Sequence, residues 1–221
     1  MTRQRACLFL FPLKHKVDLQ RWKRREHFLF FKDFAEPYHG IAFRVEMTRA
    51  YALCKERGYS VFLYYLHAAL TAGNDLEPFK MRIIEGEPWV YDVVHASCTV
   101  LRPDETFGFS NIRFHRDFEA FQEGARQEIA RVQADGRLFS FEADPYEFLH
   151  FSALPWIDFS SVSHARHFPA GDSIPKYSFG KIVEEEGRRS MHCSVHVHHS
   201  LVDGLHVGRY MEAFQRNLDQ E

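Results

Sequence analysis

The segment MHCSVHVHHSLVDGLHVGRYMEAFQ, residues 191–215, changes its hydrophobic period halfway along, and this constrains the fold more than any other feature of the chain. Up to position 199, Cys193, Val195 and Val197 alternate with His192, Ser194, His196 and His198, and His199 closes the mostly apolar row. A period of two belongs to a strand with one face buried. From 204 to 217 the apolar positions recur at helical spacing, and Asp203 stands where an N-cap is needed. A strand followed so closely by an amphipathic helix asks for a sheet beside it and an apolar layer beneath the helix.

The rest of the chain supplies the partners. Residues 42–47 alternate as a strand, and 48–57 and 61–72 carry apolar residues at helical spacing. Between 79 and 112, short stretches rich in β-branched and aromatic residues are broken by Glu-Gly and Pro turns, which predicts an antiparallel meander. Asp117 is an N-cap for 117–134, where Phe118, Phe121, Ala125, Ile129 and Val132 form one stripe for packing on a sheet. Two further strand-like stretches, the second with a Glu-Gly turn, precede the C-terminal segment. With 45% hydrophobic residues, 15% of the chain aromatic and no internal repeat, the expectation is one domain over 1–221. Its fold class is α/β, an α+β sandwich with a mixed sheet covered by helices on its faces.

Charge narrows the choice of partners. The formal charge is −2 and both signs are interspersed, so nothing marks a nucleic-acid or anionic membrane surface. Cys7, Cys54, Cys98 and Cys193 lie far apart without CxxC spacing and read as reduced thiols. The apolar run near the N-terminus is too short to span a bilayer, and a cytoplasmic location is expected.

The histidines admit three readings. His196 and His198 share a face, with His192 nearby, but a zinc site needs three or four ligands, and no HxH, HExxH or paired cysteine upstream supplies the rest. As polar tips on a half-exposed sheet, His192 and His196 need no further account. His199 differs, because a histidine on the apolar row must find a specific partner or suffer desolvation.

Taken together, His198, His199, Asp203 and Gly204 spell HHxxxDG, which resembles the C-terminal signature of the type A chloramphenicol acetyltransferases. The acyltransferase cores of 2-oxo acid dehydrogenases and peptide-synthetase condensation domains carry the same short pattern. Three further blocks are similar to that family's in the same order: WKRREHFLFF at 22–31, DETFGF at 104–109 and FSALPWIDF at 151–159. Length favours the chloramphenicol acetyltransferases, since condensation domains are much longer.

The resemblance implies transfer of acetyl from acetyl-CoA to the hydroxyl of a small molecule, without a covalent acyl-enzyme and without a metal. A hydroxyl is a poor nucleophile at neutral pH, and an imidazole, with an ordinary pKa near the working pH, suits removal of its proton. By position His199 is that base, and Ser152 is the donor to the oxyanion that develops on the thioester carbonyl. Asp203 matches an aspartate that pairs with the arginine at Arg24 and braces the histidine loop. CoA contacts fall on Ser178 and Lys181. The family's assembly is a homotrimer, with His199 facing an acceptor pocket built mainly from the neighbouring subunit. The pocket positions, Phe31, Ala35, His39, Phe107 and His150, depart most from the family, where tyrosine, leucine, phenylalanine and asparagine stand at 31, 35, 39 and 150. Without the phenol at Phe31, chloramphenicol is not the expected natural acceptor, and a more polar alcohol or an amine suits His39 and His150 better. The competing expectation is a non-catalytic trimeric relative that sequesters or senses a small molecule.

Overall fold

The computed structural model describes residues 14–140, 142–165 and 172–220. Cys7 and the N-terminal apolar run lie outside them.

Six strands form a mixed sheet in the spatial order β2 (Tyr38–Glu46), β9 (Arg188–His198), β8 (Lys176–Glu185), β7 (Phe148–Ala153), β5 (His95–Leu101) and β6 (Phe107–Phe109). β2, β9 and β8 pair antiparallel, β8, β7 and β5 pair parallel, and β6 returns antiparallel on the edge. A smaller antiparallel sheet has the order β1 (Lys14–Lys16), β4 (Glu87–Tyr91) and β3 (Met81–Ile84). The helices are α1 (Arg25–Phe31), α2 (Thr48–Arg57), α3 (Val61–Asp75), α4 (Glu77–Lys80), α5 (Phe118–Ala134) and α6 (Gly204–Leu218).

The single meander expected between 79 and 112 is instead two hairpins in two sheets. β3 and β4 pair with each other and with β1, while β5 joins the large sheet beside β7. The reason is non-local. β5 takes a parallel partner more than fifty residues downstream, a pairing that no local pattern encodes. Arg82 stitches the two sheets together: its fully buried guanidinium donates to the carbonyls of Phe79, Met81, Tyr146 and Phe148 at 2.7–3.0 Å. Two-residue turns close the β3–β4 and β8–β9 hairpins at Glu85-Gly86 and Glu186-Gly187, where all four residues have positive φ and glycine takes the larger value.

One face of the large sheet is the core. Phe43, Val45, Cys193, Val195, Val197, Phe151, Tyr177 and Phe179 pack with Leu66, Ala69 and Leu70 of α3 and Val207, Tyr210 and Phe214 of α6. α3 is buried nearly all round, which explains its apolar content, and α5 presents the anticipated stripe with Phe121, Ala125 and Val132 buried. Asp117 caps α5 by accepting from the Ala120 N–H at 2.9 Å.

The opposite face is polar, and His192 and His196 on it are half-buried. Register aligns His150, Lys176 and His196 across β7, β8 and β9, and Ser152, Ser178 and Ser194 in the next row. Residues 154–165 fold over these rows, with Asp158 2.7 Å from His192 and the His164 ring packed edge-on against His196 at 4.7 Å. The His196 ring lies over β2, where a Cβ on Gly40 would fall 2.2 Å from its Nε2. Cys54, Cys98 and Cys193 are buried free thiols. Among the described residues no helix is long and apolar enough to cross a membrane.

Candidate active site

His199 follows the last residue of β9, in the turn that leads into α6. Its backbone N–H donates to the Pro37 carbonyl at 2.8 Å, which ties this turn to the segment entering β2. The ring stacks on Phe31 with centroids 4.1 Å apart and planes 11° from parallel. On another side it meets the His39 ring at 4.5 Å, tilted by 41°. Its Nδ1 is buried with no hydrogen-bond partner among the described residues, so Nε2 is the nitrogen through which it can exchange a proton with a bound molecule.

Asp203 holds the turn from below. As N-cap of α6 its carboxylate accepts from the Leu205 N–H at 3.1 Å and, more weakly, from the His206 N–H at 3.4 Å. The same carboxylate forms an ion pair with the Arg24 guanidinium, joining the start of α1 to the start of α6. Burial pushes the Asp203 carboxyl up, but Arg24 and His206 outweigh it and hold the pKa below the ordinary value. His206, not singled out in the sequence, completes a capping box: its Nδ1 lies 3.1 Å from the Asp203 backbone nitrogen. The only sequence signal for it is its position three residues after the N-cap.

His198 turns away from His199, with Nδ1 2.8 Å from Ser200 Oγ and its ring edge-on to Tyr38. Burial pushes its pKa down to about 4. His150 is lowered to about 4 by burial, with the Lys176 charge adding to the effect. Lys176 itself is bonded to Asp172 at 2.7 Å.

The other residues picked out from the sequence do not gather around His199. Ser152 lies two strands away, in register with Ser194, five residues before His199. Strand spacing and rise place the two on the order of 19 Å apart. Ser152 shares the His198 face of the sheet, opposite to that of Val197 and His39. Phe107 lies farther still, exposed on the edge strand β6 and edge-on to Phe109. Ser178 is buried, its Oγ 3.4 Å from His164 Nε2. Lys181 is exposed beside the β8 bulge, and Ala35 is exposed in the connection between α1 and β2.

Two of the pocket positions reach His199 within one chain. Phe31 and His39 belong to the same chain as His199, because the Arg24–Asp203 pair docks α1 on the histidine turn and β2 pairs directly with β9. His150, Ser152 and Phe107 lie elsewhere on the sheet. Among the described residues, no three His, Cys, Asp or Glu side chains converge as a metal site requires.

The profile of the chloramphenicol acetyltransferase family matches residues 14–215. A chloramphenicol acetyltransferase of Bacillus pumilus is 27% identical over 87% of this chain and 88% of its own length. Chloramphenicol acetyltransferase 2 of Escherichia coli is 27% identical over 92% of this chain and 96% of its own. A solved chloramphenicol acetyltransferase superposes with a TM-score of 0.87 at 29% identity, covering 93% of this chain and all of that one. The truncated catalytic core of a 2-oxoacid dehydrogenase complex from Thermoplasma acidophilum has a TM-score of 0.66 at 14% identity, a likeness of fold alone.

Proposed function

The chain belongs to the chloramphenicol acetyltransferase family, and we propose on that premise that His199 is the general base of a direct, acetyl-CoA-dependent O-acetyl transfer to a small-molecule alcohol. His199 Nε2 takes the proton of the hydroxyl as its oxygen attacks the thioester carbonyl. Ser152 donates to the oxygen that becomes negative in the tetrahedral intermediate. As that intermediate collapses the carbon–sulfur bond breaks, and the proton held by His199 passes to the departing CoA thiolate. Asp203 and Arg24 keep the histidine turn in place without touching the reacting atoms, while Ser178 and Lys181 face the CoA side. The whole chain acts as one acetyltransferase domain in the cytoplasm, where acetyl-CoA is available and the buried thiols stay reduced.

The separation of His199 from Ser152 within one chain is the observation that carries the oligomeric part of this reading. A site using both must draw them from two copies, and a ring of heterologous contacts, closing as a trimer, places the histidine edge of one copy against the serine face of the next. Exposed apolar side chains support such an interface on both sides: Leu29, Phe30, Phe34 and Leu205 near His199, and Phe107, Phe139, Trp156 and Ile157 toward Ser152 and β6. The acceptor pocket then combines Phe31, Ala35 and His39 of one subunit with Phe107 and His150 of its neighbour. Chloramphenicol is consistent with the family, whereas His39 and His150 favour a more polar alcohol or an amine. A binder without turnover is not favoured, since the matched relatives are named as acetyltransferases.

The test is release of free CoA from acetyl-CoA, followed with a thiol reagent across a panel of alcohols that includes chloramphenicol. His199→Ala is expected to abolish release while leaving assembly intact. Full rate in that variant removes His199 from the mechanism.

A further inference from the structure

Of the two side chains that hold the His199 ring, one is apolar and one is not. Besides Phe31's plain hydrocarbon face the ring meets His39, which register places against Val197 in the β2–β9 ladder. The Nε2 of His39 lies 3.2 Å from the Val202 carbonyl oxygen. A carbonyl oxygen only accepts, so the hydrogen of the neutral ring sits on Nε2, and Nδ1 is left with a bare lone pair. That Nδ1 has no partner among the described residues and is not among the polar atoms sealed from solvent. Burial holds the His39 pKa below the ordinary histidine value, and the neighbouring His199 acts in the same direction, against smaller upward effects of the Val202 carbonyl and Asp203. The ring is therefore neutral at pH 7, and its free nitrogen is an acceptor.

We propose that His39 determines acceptor specificity: its Nδ1 accepts a hydrogen bond from a second hydroxyl of a polyhydroxylated acceptor while His199 takes the proton from the first. This rests on the reading of His199 as base. The two imidazoles are 4.5 Å apart between centroids, a span that hydroxyls on adjacent or next-adjacent carbons can bridge when each bonds to one ring. An acceptor that offers a hydrocarbon group at this place strips water from Nδ1 without replacing its hydrogen bond, and that loss falls on the less polar substrate. A site with a buried polar partner rejects an analogue lacking the matching group far better than an apolar pocket rejects an added hydroxyl. Phe31 contributes no such discrimination.

The experiment compares kcat/KM for 3-phenoxypropane-1,2-diol and 3-phenoxypropan-1-ol, with acetyl-CoA as donor and free CoA as readout. The intact protein is expected to prefer the diol by roughly 10- to 100-fold, the range set by leaving one desolvated acceptor without its hydrogen bond. His39→Phe should bring the ratio close to one, with His39→Leu as a second apolar variant should the first not fold. His39→Gln, which keeps an accepting oxygen, should retain the preference. A merely structural role changes both rates together and leaves their ratio alone. Equal rates in the intact protein, or a preference that survives both apolar variants, overturn the proposal while leaving the acetyl-transfer mechanism standing. If neither alcohol releases CoA, and none in the wider panel does, the catalytic reading fails and this proposal falls with it.

Discussion

Phe31 lies face to face with His199, ring centroids 4.1 Å apart and planes 11° from parallel. The contact fixes the plane of the imidazole before any substrate arrives, with Nδ1 buried and Nε2 left for exchange. A base held in place loses less on reaching the transition state than one that must be ordered. Phe31→Ala is expected to lower kcat by about 10-fold with little change in KM, since the loss is one of positioning. Phe31→Tyr keeps the stack and should keep kcat. Steady-state kinetics on the two variants check this, and an unchanged kcat in the alanine variant removes the stack from the account.

Ser152 and His199 cannot meet within one chain, which makes complementation a direct test. Ser152→Ala alone should lower kcat by about 100- to 1,000-fold, the usual effect of losing one oxyanion donor. Coexpressed with His199→Ala chains, it should recover activity, because about a quarter of the interfaces in randomly mixed rings then pair an intact histidine with an intact serine. Mixed oligomers as inactive as either parent argue that the two residues do not share a site.

Asp203 both caps α6 and pairs with Arg24, so its substitutions separate the two roles. Asp203→Asn keeps a capping oxygen but loses the charge, whereas Asp203→Ala loses both and should be less stable by a further ~1 kcal/mol. The folded protein holds the Asp203 pKa below its ordinary value. Its contribution to stability is therefore complete above the unfolded carboxyl's pKa of about 4 and is lost as pH falls through the lower folded value. Thermal melts of the intact protein and the asparagine variant are expected to differ at neutral pH and to converge in strong acid. A constant difference at every pH rules out the ion pair as its source.

Four histidines, His95, His150, His164 and His198, have pKa values lowered to about 4, in each case chiefly by burial. In the unfolded chain they take up protons near pH 6.5. The stability that comes from keeping them neutral is full above that pH and drains away as pH falls from about 6.5 toward 4, a steeper acid sensitivity than carboxylates alone would produce. Denaturant midpoints measured across this window should fall steadily. Replacing His150 with Asn removes one titrating group and should flatten the slope, and an unchanged slope would sink the assignment.

The parts of this fold that are legible in the sequence are those set by neighbours along the chain. The period change at Asp203 marks where β9 ends and α6 begins. The stripe from Phe118 to Val132 marks the buried side of α5, and the Glu-Gly pairs mark hairpin turns. Each depends on backbone preferences and on one buried face, and both are written locally. The candidate base is legible through the HHxxxDG resemblance; periodicity adds only that a histidine ending an apolar row is costly to bury without a partner.

Tertiary packing alone sets which distant residues meet. That β5 leaves the expected meander for a parallel place beside β7, and that Arg82 fills its bonding with four carbonyls, depend on contacts between segments far apart in sequence. The polar rows on β7, β8 and β9 lie partly beneath residues 154–165, and periodicity cannot report what lies above a strand. His39 came against His199 through strand register, and Ser152 was carried two strands away by the same sheet order. The physical reason is common to all of these: side-chain alternation is a property of each strand alone, whereas pairing order is set by the free energy of closing long loops and burying surfaces between segments that share no local signal.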